Sequence, residues 1–420
     1  MNINPKYILP TSYRVNRGIR TGCFVTPRQD QHGDDGLFDI GRPLSQTQNT
    51  ARAKDAANDT FGLDRLTYDV RCGDAGAVVG SIQVPVNCVV TSPPYFRKRL
   101  YGDSGEELGH EKSVEAYIQN LVSIFNAVPL HQTGSIWVNL GDSRDRGRLL
   151  MVPERFAFEM IRQGWLLLDR VIWAKRVVRD DGTTIGNCMP DPPRHRLSGS
   201  SHEFLFRFAK RHDAWTDICA VSIPRLTGDV RQVRYLPPEL MHTTTSVEGR
   251  GLSDVWQVSN AGQSAYDHYA VYPPTLVERP IAMTCPMFVD QNGNPRSRII
   301  EMVKYDDGHG KCTIGKGKYI GNLTPEELLL KSGRRDTNRP YIPRKPVTKG
   351  WTDLDDSWRP GLVLDPFAGT GTTCEVALKM GRSVIAVELY KKNCDVIKTR
   401  CQKTLDDMRA QGLNPFRQFN

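Results

Sequence analysis

The sequence predicts an α/β protein with a mostly parallel sheet and irregular insertions. Short apolar runs that suit buried strands alternate along the chain with segments whose apolar residues recur at helical spacing, as in parallel α/β proteins. Of the 420 residues, 39% are hydrophobic and 25% are charged, which is close to the globular average. This composition excludes a collagen, a low-complexity tail and a wholly disordered chain. The length suggests two or three folded units, or one large domain with insertions.

The first half of the chain supplies a run of alternating elements. Leu66–Cys72 is strand-like and ends at a glycine, while Asn87–Thr91 is a short apolar run that Ser-Pro-Pro cuts off, which suits a buried parallel strand. Ser113–Val128 has helical spacing, and its serine can cap the N-terminus. Gly134–Leu140 is strand-like again, and Pro153–Gln163 is a predicted helix with proline in its first turn.

The alternation continues towards the C-terminus, interrupted by two polar stretches. Trp165–Trp173 and His202–Ala209 are predicted strands, and Thr275–Thr284 is a predicted helix. The last block is the clearest, because a strand, a Gly-rich turn, a helix, a strand and a helix follow one another directly. Its four regular elements are Leu362–Asp365, Thr373–Met380, Ser383–Glu388 and Tyr390–Met408.

Charge and hydropathy narrow the class of protein further. Lys and Arg number 56 against 47 Asp and Glu, and the net charge of +9 favours a polyanionic partner such as nucleic acid. No stretch approaches the roughly 20 apolar residues that span a bilayer, and the N-terminus lacks the apolar region of a secretory signal. We therefore expect a soluble intracellular protein. Its ten cysteines include no CxxC pair and are predicted to be reduced.

A Gly-rich loop, Leu364–Thr373 with the sequence LDPFAGTGTT, lies between an apolar strand and a helix. Its glycines let the backbone approach a ligand, and the helix N-terminus offers free N–H groups. Glu388 ends the next strand, where it can accept hydrogen bonds from ribose hydroxyls. Because the loop lacks the lysine of a P-loop, an adenosine-bearing cofactor without a phosphate chain, such as S-adenosylmethionine, fits better than a nucleoside triphosphate. The alternative is a tight turn followed by a solvated glutamate.

A second loop, Thr91–Tyr95 with the sequence TSPPY, directly follows a predicted strand. The two prolines fix the backbone and remove two N–H donors, so carbonyl oxygens and the Ser92 hydroxyl remain as acceptors. Such acceptors can hold an exocyclic amino group by its hydrogens, and Tyr95 offers a ring face on which a base can stack. The alternative is an ordinary loop at the end of a strand.

These two loops together resemble those of DNA amino methyltransferases, which transfer a methyl group from S-adenosylmethionine to N4 of cytosine or N6 of adenine. DPFAGTGTT is similar to the cofactor loop of that family, and TSPPY to its catalytic loop. The catalytic loop comes first in the chain, as in the circularly permuted β class. The resemblance covers roughly residues 66–210 and 254–405. It implies a Rossmann-like, S-adenosylmethionine-dependent methyltransferase fold, circularly permuted and carrying insertions.

The resemblance also implies a role for each residue of the two loops. The catalytic residues that would grip and stack a flipped base are Ser92, Pro93, Pro94 and Tyr95. The residues that would hold the cofactor are Asp74, Asp365, Pro366, Phe367, Ala368, Gly369, Thr370, Gly371, Thr372, Thr373 and Glu388. Asn139 and Asp142 are predicted either to contact the site or to cap a loop. His202 and Glu203 are predicted to be structural.

The predicted domain organisation follows from the same comparison of motifs. An irregular arm, 1–65, precedes the catalytic half of the methyltransferase domain, 66–210. A candidate target-recognition region, 211–262, and a cofactor-flanking helix, 263–285, come next. The insertion 286–358 resembles a degenerate zinc ribbon, but only Cys285 and Cys312 remain of its ligands, so we predict no metal. The cofactor-binding half is 359–420.

The resemblance predicts a site-specific DNA methyltransferase with S-adenosylmethionine as cofactor and duplex DNA as partner. Ser92 is typical of N4-cytosine enzymes, which makes N4 of cytosine the predicted target. The alternatives are an adenine-N6 enzyme, an RNA N2-guanine methyltransferase and a non-catalytic DNA-binding scaffold. Basic segments at 176–200 and 211–253 would hold the duplex. A cytoplasmic, prokaryotic or phage-encoded enzyme is expected. Whether a cognate restriction endonuclease accompanies it stays open, as do the recognition sequence and the oligomeric state.

Overall fold

A computed structural model describes seven stretches of the chain, residues 62–98, 107–178, 184–186, 201–221, 252–259, 272–304 and 344–416. All of them belong to one unit of the chain, residues 39–420. Almost all of the predicted N-terminal arm, most of the two predicted basic segments, and Cys312 lie outside the described residues. Within the described residues, no helix has the length and apolar character needed to cross a membrane.

The regular elements alternate as the sequence predicts, with several additions. The strands are β1 Tyr68–Cys72, β2 Val86–Thr91, β3 Leu130–Leu140, β4 Arg144–Asp145, β5 Arg148–Leu149, β6 Leu166–Val178, β7 Thr184–Gly186, β8 His202–Ala209, β9 Val255–Ser259, β10 Phe288–Val289, β11 Arg298–Lys304, β12 Arg344–Trp351, β13 Arg359–Pro360, β14 Leu362–Asp365 and β15 Ser383–Glu388. The helices are α1 Ala75–Gly80, α2 Val114–Asn126, α3 Val152–Arg162, α4 Pro274–Thr284, α5 Thr372–Lys379 and α6 Lys391–Ala410. Two short 3-10 helices span Leu63–Arg65 and Ile218–Ala220.

The central sheet has the strand order β1-β15-β14-β2-β3-β8-β6-β7, and β9 also pairs with β6. The first five strands in this order are mutually parallel, whereas β8 runs antiparallel to both of its neighbours, β3 and β6. The prediction of a mostly parallel α/β sheet is therefore confirmed. Because β14 pairs directly with β2, the two predicted functional loops leave adjacent strands at the same edge of the sheet.

Helices cover both faces of this sheet, as buried parallel strands require. Along β2, Val89 packs with α1, α2 and α3 on one face. Cys88 and Val90 pack with α4, α5 and α6 on the other face. The predicted cap of α2 is confirmed, since Ser113 Oγ accepts a hydrogen bond from the backbone N–H of Ala116 at 3.1 Å. This packing on both faces holds in place the strand ends at which the two functional loops begin.

Two stretches that the sequence predicts to be irregular contain strands. In the predicted insertion, β11 pairs antiparallel with β12, and β10 pairs with β13. Phe288 packs edge-on against Trp351 and Trp358, with ring centroids 4.9 and 4.7 Å apart, and these rings join the insertion to the main hydrophobic core. In the predicted target-recognition region, β9 extends the main sheet through parallel pairing with β6. These strands are short or have a partner distant in sequence, which gives little local signal.

Candidate functional site

A cavity of about 540 Å³ opens at the carboxyl edge of the sheet. Its walls come mainly from the loops that follow the adjacent strands β1, β15, β14 and β2. This is where open parallel α/β sheets bind ligands, because the strand ends and the helix N-termini diverge there. Ten of the predicted site residues line the cavity, namely Asp74, Ser92, Pro94, Pro366, Phe367, Ala368, Gly369, Thr370, Thr372 and Glu388.

The other predicted residues, Pro93, Tyr95, Asp365, Gly371 and Thr373, are not in the cavity wall. Asp365 is buried beneath it, and its Oδ1 accepts hydrogen bonds from Thr91 Oγ1 at 2.6 Å and from the Phe367 N–H at 3.1 Å. Its Oδ2 accepts from Thr373 Oγ1 at 2.6 Å and from the Tyr272 hydroxyl at 3.1 Å. Each oxygen of the Asp365 carboxylate thus accepts two hydrogen bonds. Asp365 therefore joins the two loops from below the cavity, and its predicted contact with a cofactor stays a prediction.

Burial is the main cause that raises the pKa of the Asp365 carboxyl above its ordinary value, and its four donors oppose this shift. Thr91 is the last residue of β2, directly before Ser92, and Phe367 belongs to the Gly-rich loop. One buried side chain therefore fixes the distance between the predicted catalytic and cofactor loops.

The Gly-rich loop owes its shape to two left-handed glycines. Gly369 has φ of 56° and Gly371 has φ of 85°, values that side chains other than glycine rarely adopt. A Cβ on Gly371 would also lie 3.2 Å from Ile397 Cγ1 of α6, so a glycine here lets the loop pack closely against that helix. Thr370 lines the cavity, and its buried Oγ1 has no hydrogen-bond partner within the described residues. A buried hydroxyl without a partner costs free energy, which a polar ligand at this position would recover.

Glu388 lies in the cavity wall directly beside the Gly-rich loop. Its Oε2 accepts a hydrogen bond from the Gly369 N–H at 2.9 Å, and its Oε1 accepts from the Tyr390 N–H at 3.0 Å and from Asn393 Nδ2 at 3.2 Å. Burial raises the pKa of the Glu388 carboxyl to about 7, against the effect of these donors. Asp74 Oδ1 caps α1 by accepting from the Ala77 N–H at 3.0 Å, and Asp74 also lines the cavity.

On the other side of the cavity, the TSPPY loop is held by hydrogen bonds behind it. The Tyr95 hydroxyl donates to Glu203 Oε2 at 2.6 Å and accepts from Asn139 Nδ2 at 2.8 Å. Ser92 Oγ lies 3.4 Å from the Tyr95 hydroxyl. Lys175 Nζ donates to the other oxygen of Glu203, Oε1, at 2.5 Å. Ser92 alone among these side chains reaches the cavity wall.

Glu203 and Lys175 are among the site residues that the sequence did not reveal, since Glu203 is predicted to be structural and Lys175 has no predicted role. An acid and a lysine at the ends of two apolar strands are the signal that could have found them. Tyr272, Glu107 and Glu111 of the cavity wall were not predicted either.

Of the two undecided residues, Asn139 contacts the site, and its buried Oδ1 has no partner among the described residues. Asp142 is a cap, since its Oδ1 accepts from the N–H groups of Ser143 and Val152.

The described residues contain no group of three or more His, Cys, Asp or Glu side chains that could hold a metal ion. Cys285 is buried, whereas Cys312 lies outside those residues. The absence of zinc therefore stays a prediction.

The residues around the cavity fit an adenosine-bearing cofactor. The volume lies within the roughly 300–1,000 Å³ typical of small-ligand pockets. The wall offers a carboxylate, Glu388, for ribose hydroxyls and an unpartnered hydroxyl, Thr370. It offers no lysine for a phosphate chain, since no lysine belongs to the cavity wall in the described part of the chain.

The sequence of this chain is similar to those of known proteins. A family model described as DNA methylase, N6_N4_Mtase, matches residues 86–292 and 356–399, which together are more than half of the chain. Type II methyltransferase M.Cfr9I of Citrobacter freundii is 29% identical over 308 residues, 63% of this chain and 88% of its own. M.XycI of Xanthomonas campestris pv. cyanopsidis is 29% identical over 59% of this chain and 81% of its own.

Type II methyltransferase M.SmaI of Serratia marcescens is 28% identical over 236 residues, 49% of this chain and 70% of its own. Among solved structures, PvuII DNA methyltransferase (cytosine-N4-specific) gives a TM-score of 0.46 at 17% identity, over 83% of this chain and 93% of that one. The Rossmann-like fold and the S-adenosylmethionine cofactor that the sequence predicts are confirmed. The chain belongs to the DNA methylase family of N6 and N4 enzymes and is an S-adenosylmethionine-dependent DNA methyltransferase.

Proposed function

We propose that this chain methylates N4 of a cytosine that is flipped out of duplex DNA at a specific sequence. The observation that carries the proposal is that Ser92 and Pro94 line the same cavity as Phe367, Gly369 and Glu388. A base held by the TSPPY loop would therefore lie within reach of a cofactor held by the Gly-rich loop and Glu388. The order of the loops along the chain, catalytic before cofactor, supports the permuted β class.

The cofactor end of the cavity is assigned from its polar groups. Glu388 would accept hydrogen bonds from the ribose hydroxyls, and Thr370 Oγ1 would gain the partner that it lacks. Asp74, on the loop after β1, would face the adenine end. When bound there, S-adenosylmethionine supplies an electrophilic methyl group on its sulfonium sulfur.

The base end works by positioning rather than by covalent catalysis. The amino group of cytosine is conjugated with its ring and is a poor nucleophile. Ser92 Oγ and the Pro93 carbonyl would accept its two hydrogens, which favours a tetrahedral nitrogen with its lone pair free, and Tyr95 would clamp the ring. Most of the rate then comes from orientation. The sequence has no Pro-Cys dipeptide, so the thiolate attack of C5 methylation has no candidate nucleophile.

Ser92 is the residue that favours cytosine over adenine. The catalytic loops of adenine-N6 relatives usually begin with Asp or Asn, whereas SPPY is the form typical of N4-cytosine enzymes. Removing the base from the stack costs a few kcal/mol, which contacts with the duplex must offset. The relatives named Type II methyltransferases support a role in restriction and modification beside a cognate endonuclease.

The test is nucleoside analysis by mass spectrometry of PCR-amplified duplex DNA after incubation with the protein and S-adenosylmethionine. We expect N4-methylcytosine. N6-methyladenine would replace the cytosine assignment, transfer to RNA but not to DNA would revive the guanine-N2 alternative, and no transfer would favour a non-catalytic scaffold.

A matched pair of serine variants tests the assignment of Ser92. Ser92→Ala is expected to slow transfer about fivefold or more, since one hydrogen bond in the transition state is worth at least about 1 kcal/mol. Ser81→Ala is the control, because Ser81 is exposed, its hydroxyl donates to the Val78 carbonyl at the end of α1, and it accepts from Arg71 Nη1 at 3.5 Å. Cofactor binding measured by calorimetry should be the same in both. A Ser92→Ala enzyme with full activity would refute the role.

A further inference from the structure

We propose that Glu203 is a positioning residue that acts through Tyr95 to fix the direction of the Ser92 hydroxyl, so that the serine oxygen presents a lone pair to the target amino group. The inference rests on the proposed function and extends it to three side chains, Glu203, Lys175 and Asn139. None of these belongs to the TSPPY loop.

The contacts form one continuous chain. Lys175 Nζ is 2.5 Å from Glu203 Oε1, Glu203 Oε2 is 2.6 Å from the Tyr95 hydroxyl, and that hydroxyl is 3.4 Å from Ser92 Oγ. Asn139 Nδ2 lies 2.8 Å from both the Tyr95 hydroxyl and Glu203 Oε2. Lys175 is on β6 and Glu203 is on the neighbouring β8, so the sheet itself holds the pair in register.

The direction of every hydrogen bond follows from the chemistry of the groups. An ammonium only donates and an ionised carboxylate only accepts, so Glu203 must receive the hydrogens of both Lys175 and Tyr95. The Tyr95 hydroxyl has a single hydrogen, so towards its other neighbours it can only accept. The amide of Asn139 must turn its NH₂ group to Glu203, because its oxygen would be repelled there.

Ser92 therefore stands at the end of a polarised chain. Its hydrogen points back at the Tyr95 oxygen at 3.4 Å, and one of its lone pairs faces Asn139 Nδ2 at 3.5 Å. The other lone pair is left for the target amino group. A freely rotating serine could instead donate its hydrogen to the amino nitrogen of the base, whose lone pair must stay free to attack. The network removes that competing arrangement before the substrate arrives, which is pre-organisation of an acceptor.

Electrostatics and packing both support this arrangement. Burial opposes ionisation of Glu203, but Lys175 and the hydrogen-bond donors outweigh it and lower the pKa of the carboxyl. Burial raises the pKa of Tyr95 well above its ordinary value, and the charge of Glu203 adds to this, so the phenol keeps its hydrogen. A Cβ on Gly141 would lie 2.7 Å from Tyr95 Cε2, so the edge of the ring packs against the glycine backbone and cannot swing.

A double-mutant cycle tests the inference on the full-length protein. Single-turnover methyl transfer is measured from labelled S-adenosylmethionine to PCR-amplified duplex DNA, with enzyme in excess. Glu203→Gln is expected to slow transfer about tenfold, because the Gln NH₂ group is repelled by Lys175 and turns towards Tyr95, which reverses the chain. Tyr95→Phe, which keeps the ring, is expected to slow it by a similar factor. The double variant should be no slower than Tyr95→Phe alone.

Asp169→Asn is the matched control, since Asp169 pairs with Arg207 across the same two strands at 3.2 Å and half of its side chain is exposed. It should transfer at the parent rate. Cofactor affinity of each variant, measured by calorimetry, reports whether it is folded.

Three results would overturn the inference: full activity of Glu203→Gln, full activity of Tyr95→Phe, or effects that multiply in the double variant, as expected for an independent structural role. Should Glu203→Gln fail to bind cofactor, Tyr95→Phe decides alone, because it removes only one hydroxyl. A parent protein that transfers no methyl group to DNA refutes the proposed function, and the inference falls with it.

Discussion

Three carboxylates around the site differ in what their surroundings do to them. The buried carboxylate of Asp365 accepts hydrogen bonds from four donors and so links the two loops. Glu203 is held in its ionised form by Lys175 and points at the catalytic loop. Glu388 alone both lines the cavity and has a pKa of about 7. The Glu388 carboxyl, which we assign to the cofactor ribose, therefore changes its protonation state near neutral pH.

This assignment predicts how cofactor affinity depends on pH. Because burial raises the pKa of Glu388 to about 7, the carboxyl is mainly protonated at pH 6 and mainly ionised at pH 8. Ribose hydroxyls donate to the ionised form more strongly than to the neutral acid. If only the ionised form binds, affinity for S-adenosylhomocysteine rises about tenfold from pH 6 to pH 8, as calorimetry would measure.

Glu388→Gln separates this carboxyl from the other acids that line the cavity, Asp74, Glu107 and Glu111. The variant should bind the same ligand more weakly at pH 8, with an affinity that hardly changes over this range. An equal pH dependence in the parent and in Glu388→Gln would show that another group titrates.

At the scale of elements, the insertion is packed tightly against the strand that carries the Gly-rich loop. Gly361 lies between β13 and β14, and a Cβ there would be 2.0 Å from the Pro286 carbonyl oxygen. Gly361→Ala must displace backbone, and we expect it to lower the free energy of unfolding by about 1–3 kcal/mol. Urea denaturation followed by tryptophan fluorescence measures the change.

Gly80→Ala is the matched control, since a Cβ at this end of α1 would have no atom within 4 Å. Alanine is also the better helix former by about 0.5–1 kcal/mol, so stability should be unchanged or slightly higher. Equal stability of the two variants would mean that the insertion and β14 are not in contact.

Element prediction from the sequence succeeded where the signal was local. The structure confirms the apolar strands before TSPPY and DPFAGTGTT and the cap Ser113. Each of these features depends on residues that are close together in the sequence. The pairing of β11 with β12 was not predictable in this way, because some forty residues separate the two strands and neither has a strong period.

The site, too, was predictable only where the signal is local in the sequence. Both loops were located, but two partners of Asp365, Thr91 and Tyr272, lie 274 and 93 positions away from it, and the Tyr95–Glu203 contact joins residues 108 positions apart. No local pattern encodes such a contact. The roles of Asp365 and Glu203 therefore required the three-dimensional structure.

At the scale of the whole molecule, the site is assembled from opposite ends of the chain. Thr91 and Asp365 are 274 positions apart, and β1 pairs with β15, so neither half completes the cavity alone. The carboxyl edge of the sheet also carries the hairpin β4–β5. Its turn, Arg146-Gly147, has positive φ at both residues, which is the geometry of a type I′ turn.

This hairpin is suited to contact DNA backbone beside the target base. Arg144, Arg146 and Arg148 are all exposed on it. Its base is fixed next to the catalytic loop, because Ser143 Oγ donates to the Phe96 carbonyl at 2.6 Å. Together with a net charge of +9, this position predicts that the hairpin neutralises phosphates when a base enters the cavity.

Arg146→Asn tests the prediction while keeping a residue that tolerates the left-handed turn. We expect weaker binding to duplex DNA, and a plot of log affinity against log salt concentration that is shallower by about one unit for one lost phosphate contact. Arg409→Asn is the control, because Arg409 lies at the C-terminal end of α6, at the opposite edge of the sheet. Fluorescence anisotropy over a salt series measures both. Identical slopes for the two variants would place the bound duplex away from the hairpin.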